Sequence, residues 1–351
     1  KPDNFRGTYG GEIVSDGSNS IGMSADHDGF NNGRDLPIDY YLPGTPEERF
    51  AVGYKIGGTV AANSNSAQMG IKNMLTTVQN LSDVDSGLLK AKTVSAWDGI
   101  MEITQNVSFN VDDKFYRNEV IVKNVSEEAW DGARYMRSFD PDNTVFRGGE
   151  YDTANTVTHT VYEDGKAVVK AETYIDTDPL YIAFGSRAPI FFYSNDPAAV
   201  ASAFGFSNGN PYVDEAYDKP AAKGNTINDD MGITITWDSG PLAPDEEKTF
   251  VYYTSLDERD FDDVQDEIIV ADIEEDIEEI EDMDDVKEVK EKIDGEEDLD
   301  DEKKEEFKTE VVDVVYGDPD IIIRDAEDIL VVKDLIDESD MSDEEKDNAR
   351  V

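Results

Sequence analysis

The chain has 351 residues, of which 81 are acidic and 31 basic, and its formal net charge is −50. A surface this acidic repels nucleic acid and anionic membranes, and its self-repulsion needs salt or bound cations for relief. Cysteine is absent, which excludes disulfides, thiolate metal sites and cysteine nucleophiles, and no apolar run is long enough to span a membrane.

The first chemical feature along the chain is an oxygen-rich loop in residues 26–35, D-H-D-G-F-N-N-G-R-D. Ca²⁺ takes roughly six to eight hard oxygen ligands from flexible loops, and this pattern predicts a calcium loop. Its candidate ligands are Asp26, Asp28, Asn31, Asn32 and Asp35. The alternative is an ordinary turn cluster of Asp, Asn and Gly, because no Glu closes an EF-hand register.

A series of β-strands follows. β-forming residues alternate or cluster between turns rich in Asp, Asn and Gly, which predicts strands in residues 100–109, 115–122, 156–162, 166–174, 231–237 and 249–254. The Ala-rich stretch from Asp196 to Phe206 predicts a short helix. Many short strands joined by such turns favour an antiparallel β-sandwich in residues 1–255, so the fold class is expected to be mainly β.

A second oxygen-rich run lies among these strands. Asp140, Asp142 and Asn143 stand in the run D-P-D-N, and Glu150 or Asp152 follows closely. We predict a second calcium site at Asp140, Asp142 and Asn143. The alternative is a tight strand connection in which Asp caps its own backbone.

Beyond Leu256 the apolar residues recur at steps of three and four, which predicts acidic α-helices in residues 256–351. About half of the acidic residues fall in this part of the chain. Residues 289–294 and 299–304 return in altered form as residues 332–337 and 341–346, which indicates unequal helical repeats. Repeats need neighbours to complete a core, so we expect the chain to continue beyond Val351.

Two stretches carry a family resemblance. Residues 135–144, Y-M-R-S-F-D-P-D-N-T, and residues 235–251, I-T-W-D-S-G-P-L-A-P-D-E-E-K-T-F-V, resemble the β-supersandwich modules of bacterial and archaeal secreted surface proteins. In those modules a "vDPD" turn follows a strand, and the last strands carry a Gly where Asp245 stands here. The resemblance implies a mutarotase-like sandwich, an architecture that also occurs in carbohydrate enzymes.

These features predict a non-catalytic extracellular structural or adhesion protein: a subunit of a surface layer, a filament or a large adhesin, stabilised by calcium or high salt. His27 and His159 are the only histidines, and the sequence has no nucleophile elbow, phosphate loop or dinucleotide fingerprint. We expect partners to be copies of the chain, other surface proteins or glycans.

Three alternatives remain open. The sandwich could belong to a carbohydrate-active enzyme, or to a glycan-binding module, which exposed Tyr40, Tyr41 or Trp97 would favour. A virion structural protein is the third, because its composition would look the same.

Overall fold

The computed structural model describes residues 5–7, 23–25, 38–39, 47–64, 74–83, 87–110, 113, 115–142, 150–173, 187, 189–205, 209–257, 259, 261–296, 298–342, 345–346 and 349. The chain divides into two compact units, Lys1–Glu258 and Arg259–Val351. Among the described residues, no helix is long and apolar enough to cross a membrane.

The described residues of the first unit form seventeen β-strands. These are β1 Phe5–Gly7, β2 Met23–Ala25, β3 Ile38–Asp39, β4 Glu47–Ile56, β5 Thr59–Ser64, β6 Leu75–Asn80, β7 Leu88–Trp97, β8 Met101–Asn110, β9 Phe115–Asn124, β10 Gly132–Asp140, β11 Thr153–His159, β12 Ala167–Glu172, β13 Ile190–Ser194, β14 Ala199–Phe204, β15 Thr226–Asp229, β16 Gly232–Asp238 and β17 Glu247–Ser255. One turn of helix, α1 Val161–Asp164, and a short 3₁₀ helix, Asp214–Ala216, lie between strands.

The strands form antiparallel sheets. A nine-stranded sheet has the order β15-β11-β12-β13-β17-β9-β8-β7-β6, and a five-stranded sheet has the order β14-β16-β10-β4-β5. Strands β1, β2 and β3 form a separate small sheet. Apolar side chains from the two large sheets form one continuous core, which includes Trp237, Tyr135, Phe192 and Phe250. This arrangement confirms the predicted antiparallel β-sandwich.

Strand β10 is buried on both faces. Its odd-numbered residues Ala133, Tyr135 and Phe139 belong to the core between the sheets. On its opposite face, Met136 packs with Ala216 of the short 3₁₀ helix. Successive residues of a strand point to opposite faces, so the side chains of β10 alternate between the core and the layer on the other side of the five-stranded sheet.

The helix predicted for the Ala-rich stretch from Asp196 to Phe206 is wrong, because β14 runs through it. β14 pairs antiparallel with β16, and Ala199, Ala201 and Ala203 are buried in the core. Helix propensity favours Ala by only about 0.5 kcal/mol per residue over β-branched residues. Burial of one small apolar face and a full ladder of backbone hydrogen bonds outweigh that preference.

The second unit is helical, with α2 Phe261–Glu278, α3 Met283–Gly295, α4 Asp301–Gly317 and α5 Ala326–Glu338. Aspartates cap three of these helices: Asp282 begins α3, Asp300 begins α4 and Asp325 begins α5. Asp282 and Asp325 each accept hydrogen bonds from two backbone N–H groups of the first turn, and Asp300 accepts one from Lys303. These N–H groups would otherwise lack partners. Acidic residues are therefore concentrated where helix ends stabilise negative charge.

The apolar stripe predicted for the second unit is buried. Ile273, Ile293, Phe307 and Leu335 belong to one cluster. The repeated segments occupy equivalent places in α3 and α5, since Ile293 and its counterpart Ile336 are both buried in that cluster.

Candidate functional site

The end of β10 near Asp140 gathers polar groups in two layers. In the register of the five-stranded sheet, Arg137 pairs with Phe50 of β4 and with Ile235 of β16. Arg137 has the same parity as Tyr135 and Phe139, so its side chain enters the layer between the sheets. Arg134 has the opposite parity and lies on the outer face.

Four side chains form an inter-sheet polar cluster: Glu48, Gln105, Tyr135 and Arg137. An Arg137 Nη2 hydrogen bond reaches Glu48 Oε1, and Nη1 lies 3.4 Å from Gln105 Oε1. Tyr135 donates its hydroxyl to the same oxygen of Gln105 at 2.9 Å. Gln105 Nε2 donates to Thr93 Oγ1 at 3.2 Å. Strands β4, β7, β8 and β10 thus each contribute one or more members of a connected network.

This cluster is buried but reaches the surface at one point. The side chains of Arg137 and Glu48 are 8% and 17% exposed. Arg137 Nε has no hydrogen-bond partner among the described residues. Nε is itself buried, and a buried donor without a partner costs free energy.

The charges in this cluster are fixed near neutral pH. Burial lowers the pKa of Arg137, but Glu48, Tyr252 and Tyr135 raise it, and the net pKa lies well above the ordinary value. Burial raises the pKa of Tyr135 despite the opposing charge of Arg137. Burial likewise raises the pKa of Tyr252. The guanidinium is therefore cationic, and both phenols are neutral hydrogen-bond donors.

Arg134 provides a contrast on the outer face of the same strand. It forms salt bridges with Asp218 at 3.0 Å and with Asp238 at 2.8 Å. Its guanidinium also lies 4.6 Å from the ring centroid of Tyr212 and 4.3 Å from that of Tyr217. Nε and both terminal nitrogens of Arg134 are hydrogen-bonded, so this network is complete and serves packing.

A second group, the carboxylate cluster, comprises Asp140, Asp142 and Asp230. Each offers an oxygen, and these oxygens all lie within 4.8 Å of one another. Asp140 and Asp142 are buried, and Asp230 is the more exposed of the three. Oδ1 of Asp142 has no hydrogen-bond partner within the described parts of the chain.

Burial, with nearby negative charge as a second cause, raises the pKa values of two members of this cluster, Asp142 and Asp230. Burial, together with the negative charge of Asp230, raises the pKa of Asp142 to about 7. The pKa of Asp230 is raised by burial and by the charges of Asp152 and Asp229. Without a cation, ionising all three carboxylates of the cluster is therefore energetically unfavourable.

The structure describes only some of the predicted site residues. Asp140 and Asp142 come together, whereas Asn143 and the predicted loop of Asp26, Asp28, Asn31, Asn32 and Asp35 lie outside the described residues. Asp152 lies close enough to Asp230 to raise its pKa, and Glu150 is exposed.

Sequence reasoning missed Asp230, Glu48 and Arg137. Asp230 lies in the two-residue link between β15 and β16 and reaches the carboxylate cluster only through the pairing of β16 with β10. Arg137 had a detectable signal, since it stands at an inward position of an alternating strand between Tyr135 and Phe139. Trp97, one of the predicted sugar-stacking residues, is half-buried and packs on Tyr54 with ring centroids 5.5 Å apart; Tyr40 and Tyr41 lie outside the described residues.

No protein-family model matches the chain, and no curated protein matches it. Among solved structures, it is similar to a protein assigned as an aldose 1-epimerase from Escherichia coli K12, with 11% identity over 72% of this chain and 98% of the other, at a TM-score of 0.31. It is also similar to a galactose mutarotase-like protein from Clostridium acetobutylicum, with 12% identity over 74% and 100% of the chains, at a TM-score of 0.32. The α-galactosidase AgaB from Geobacillus stearothermophilus is 8% identical over 63% of this chain and 31% of its own, at a TM-score of 0.28.

These likenesses are weak, and at such TM-scores they assign no activity or substrate to this chain. The sandwich architecture rests on the sheets themselves. The prediction that the chain is not an enzyme is nevertheless contradicted, because the matching structures include an α-galactosidase and an assigned aldose 1-epimerase. The lack of familiar catalytic motifs in the sequence is therefore no ground for a non-catalytic role.

Proposed function

We propose that the sandwich unit binds a carbohydrate and acts on it at the inter-sheet polar cluster. One observation carries this proposal: Arg137 lies between the sheets, paired with the partly buried Glu48, and keeps an N–H donor without a partner among the described residues. The completed network of Arg134 on the other face of β10 shows how this chain arranges an arginine that only supports packing.

The chemistry of the cluster suits a sugar. Neighbouring hydroxyls of a sugar need alternating donors and acceptors, which Arg137, Gln105 and Glu48 supply from planar side chains.

The cluster also limits the reaction class. Its described residues include one carboxylate, Glu48, next to a permanent cation. Hydrolysis of a glycosidic bond ordinarily uses two carboxylates, whereas proton transfer to and from a sugar hydroxyl needs one positioned base. We assign to Glu48 the transfer of the proton from the anomeric hydroxyl to the ring oxygen as the C1–O5 bond breaks, and its return as that bond forms again. Arg137 orients Glu48, and the expected reaction is the interconversion of the two anomers of a free sugar.

Two further properties belong to the proposal, a location and a set of partners. An extracellular or cell-surface location fits the net charge of −50, because salt or calcium outside the cell would screen it. Self-assembly, other surface proteins and glycans remain the expected partners.

The test compares the full chain with Glu48→Gln. Binding is measured on a glycan array, and turnover is followed by polarimetry of freshly dissolved reducing sugars. We expect Glu48→Gln to keep binding within a few-fold and to slow turnover by roughly 10²-fold or more. Asp238→Asn, which perturbs the outer Arg134 network, is the control and should change neither. Lack of binding by the wild-type chain, or unchanged turnover in Glu48→Gln, would refute the assignment.

A further inference from the structure

The carboxylate cluster lies where the chain passes between the two large sheets. β15 belongs to the nine-stranded sheet and β16 to the five-stranded sheet, and only Asp230 and Met231 separate them. Asp140 ends β10, the neighbour of β16, and Asp142 follows it by two residues. The three carboxylates therefore lie where the C-terminal end of β10 is close to the link between β15 and β16.

The spacing of the three oxygens fits a single ion. Oxygens bound to one Ca²⁺ at ~2.4 Å are at most ~4.8 Å apart, and the three carboxylates each offer an oxygen within 4.8 Å of the others. Hard carboxylate oxygens are the ligands that Ca²⁺ prefers.

A second observation points to a ligand independently of the acidic residues being clustered. Asp142 is 4% exposed, and its Oδ1 has no hydrogen-bond partner among the residues that the structure describes. Its backbone N–H is already used, since it donates to the carbonyl of Asp140 at 3.2 Å. A buried carboxylate oxygen without a donor is costly, and a cation between Asp140, Asp142 and Asp230 would satisfy it.

We propose that Asp140, Asp142 and Asp230 bind one calcium ion that fastens the end of β10 to the crossing between the sheets. The ion neutralises charges that Asp152 and Asp229 increase further at this end of the sandwich. This assignment is independent of the proposed carbohydrate site, which lies on the inner face of β10. Remaining coordination positions belong to backbone carbonyls or water.

The test uses the full chain after treatment with EDTA, in roughly molar KCl, where a Debye length of ~3 Å suppresses loose binding to surface carboxylates. Unfolding is followed by tryptophan fluorescence, because Trp97, Trp130 and Trp237 all lie in the sandwich unit. Millimolar calcium should raise the Tm of the wild-type chain by mass action on the folded state. Magnesium should raise it less, because Mg²⁺ demands a stricter octahedral shell and gives up water reluctantly.

Two variants and one control make the test specific. Asp142→Asn should bind calcium roughly tenfold more weakly or worse and lose most of the calcium-dependent rise in Tm. In EDTA its Tm should equal or exceed that of the wild-type chain, because one buried negative charge beside Asp230 is gone. Asp230→Asn, which alters the more exposed ligand, should also lose the rise and serves if Asp142→Asn does not fold. Glu127→Gln, which removes one exposed charge elsewhere, should keep the full rise.

The decisive result is the difference in Tm between Asp142→Asn and the wild-type chain. In EDTA the variant should be at least as stable as the wild-type chain, and in calcium it should be less stable. A role in packing alone would lower the Tm of Asp142→Asn under both conditions. No calcium-dependent rise in the wild-type chain, an equal rise in both variants, or an equal effect of magnesium would overturn the proposal.

Discussion

Removing the carboxylate of Glu48 leaves the guanidinium of Arg137 without its anionic partner. The Arg137 side chain is 8% exposed, so water can replace little of the lost interaction. Breaking a buried ion pair from one side costs about 3–5 kcal/mol. We therefore expect Glu48→Leu to lower the free energy of unfolding of the sandwich unit by about 3–5 kcal/mol. For a unit of this size the corresponding fall in Tm is roughly 6–20 °C.

The double variant Glu48→Leu/Arg137→Met separates the cost of an unpaired charge from the contribution of the pair. Replacing both partners by apolar side chains of similar volume is often neutral, so most of the lost stability should return. The measurement is urea unfolding followed by tryptophan fluorescence, which reports the sandwich unit. If each single variant costs less than about 1 kcal/mol and the two effects add, the pair is a screened surface pair and the reasoning is refuted.

Two further predictions concern a carboxylate and a turn. Lys287 and then Arg324 lower the pKa of the buried Asp328, so its contribution to stability is present above pH ~4 and is lost as the pH falls through the folded pKa. Asp328→Asn should therefore be less stable than the wild-type chain at neutral pH, with a difference that narrows on acidification; far-UV circular dichroism measures this, and the exposed Glu327→Gln is the control. A constant difference across that range would contradict it. Asp245 adopts a left-handed backbone at φ 63°, so Asp245→Val should cost about 1–2 kcal/mol in urea unfolding while Asp245→Gly should not; equal losses would argue against backbone strain.

The Asp245 turn also shows what a resemblance can and cannot predict. The modules that the sequence resembles carry Gly at this position, and the backbone here has the left-handed conformation that Gly favours. The N–H of Asp245 donates to the carbonyl of Asn124 at 2.8 Å. The turn is retained with a residue that tolerates the conformation less well than Gly does.

Local patterns in the sequence were sufficient to predict the fold class. Period-two alternation located β8, β9, β16 and β17, and steps of three and four residues located the helices after Leu256. Both signals are properties of neighbouring residues and need no knowledge of the fold. The same locality caused the error at Ala199–Phe204, where pairing with β16 decided the conformation against the helix propensity of Ala.

The composition of the two clusters was decided only by the tertiary structure. Asp140 and Asp142 are two residues apart in the sequence and were predicted as ligands, but Asp230 joins them only because β16 pairs antiparallel with β10. Glu48 and Gln105 meet Arg137 because three strands from two sheets face one another across the core. Sequence sets which face each side chain takes, whereas contacts between distant strands depend on register and sheet packing, which no local pattern specifies.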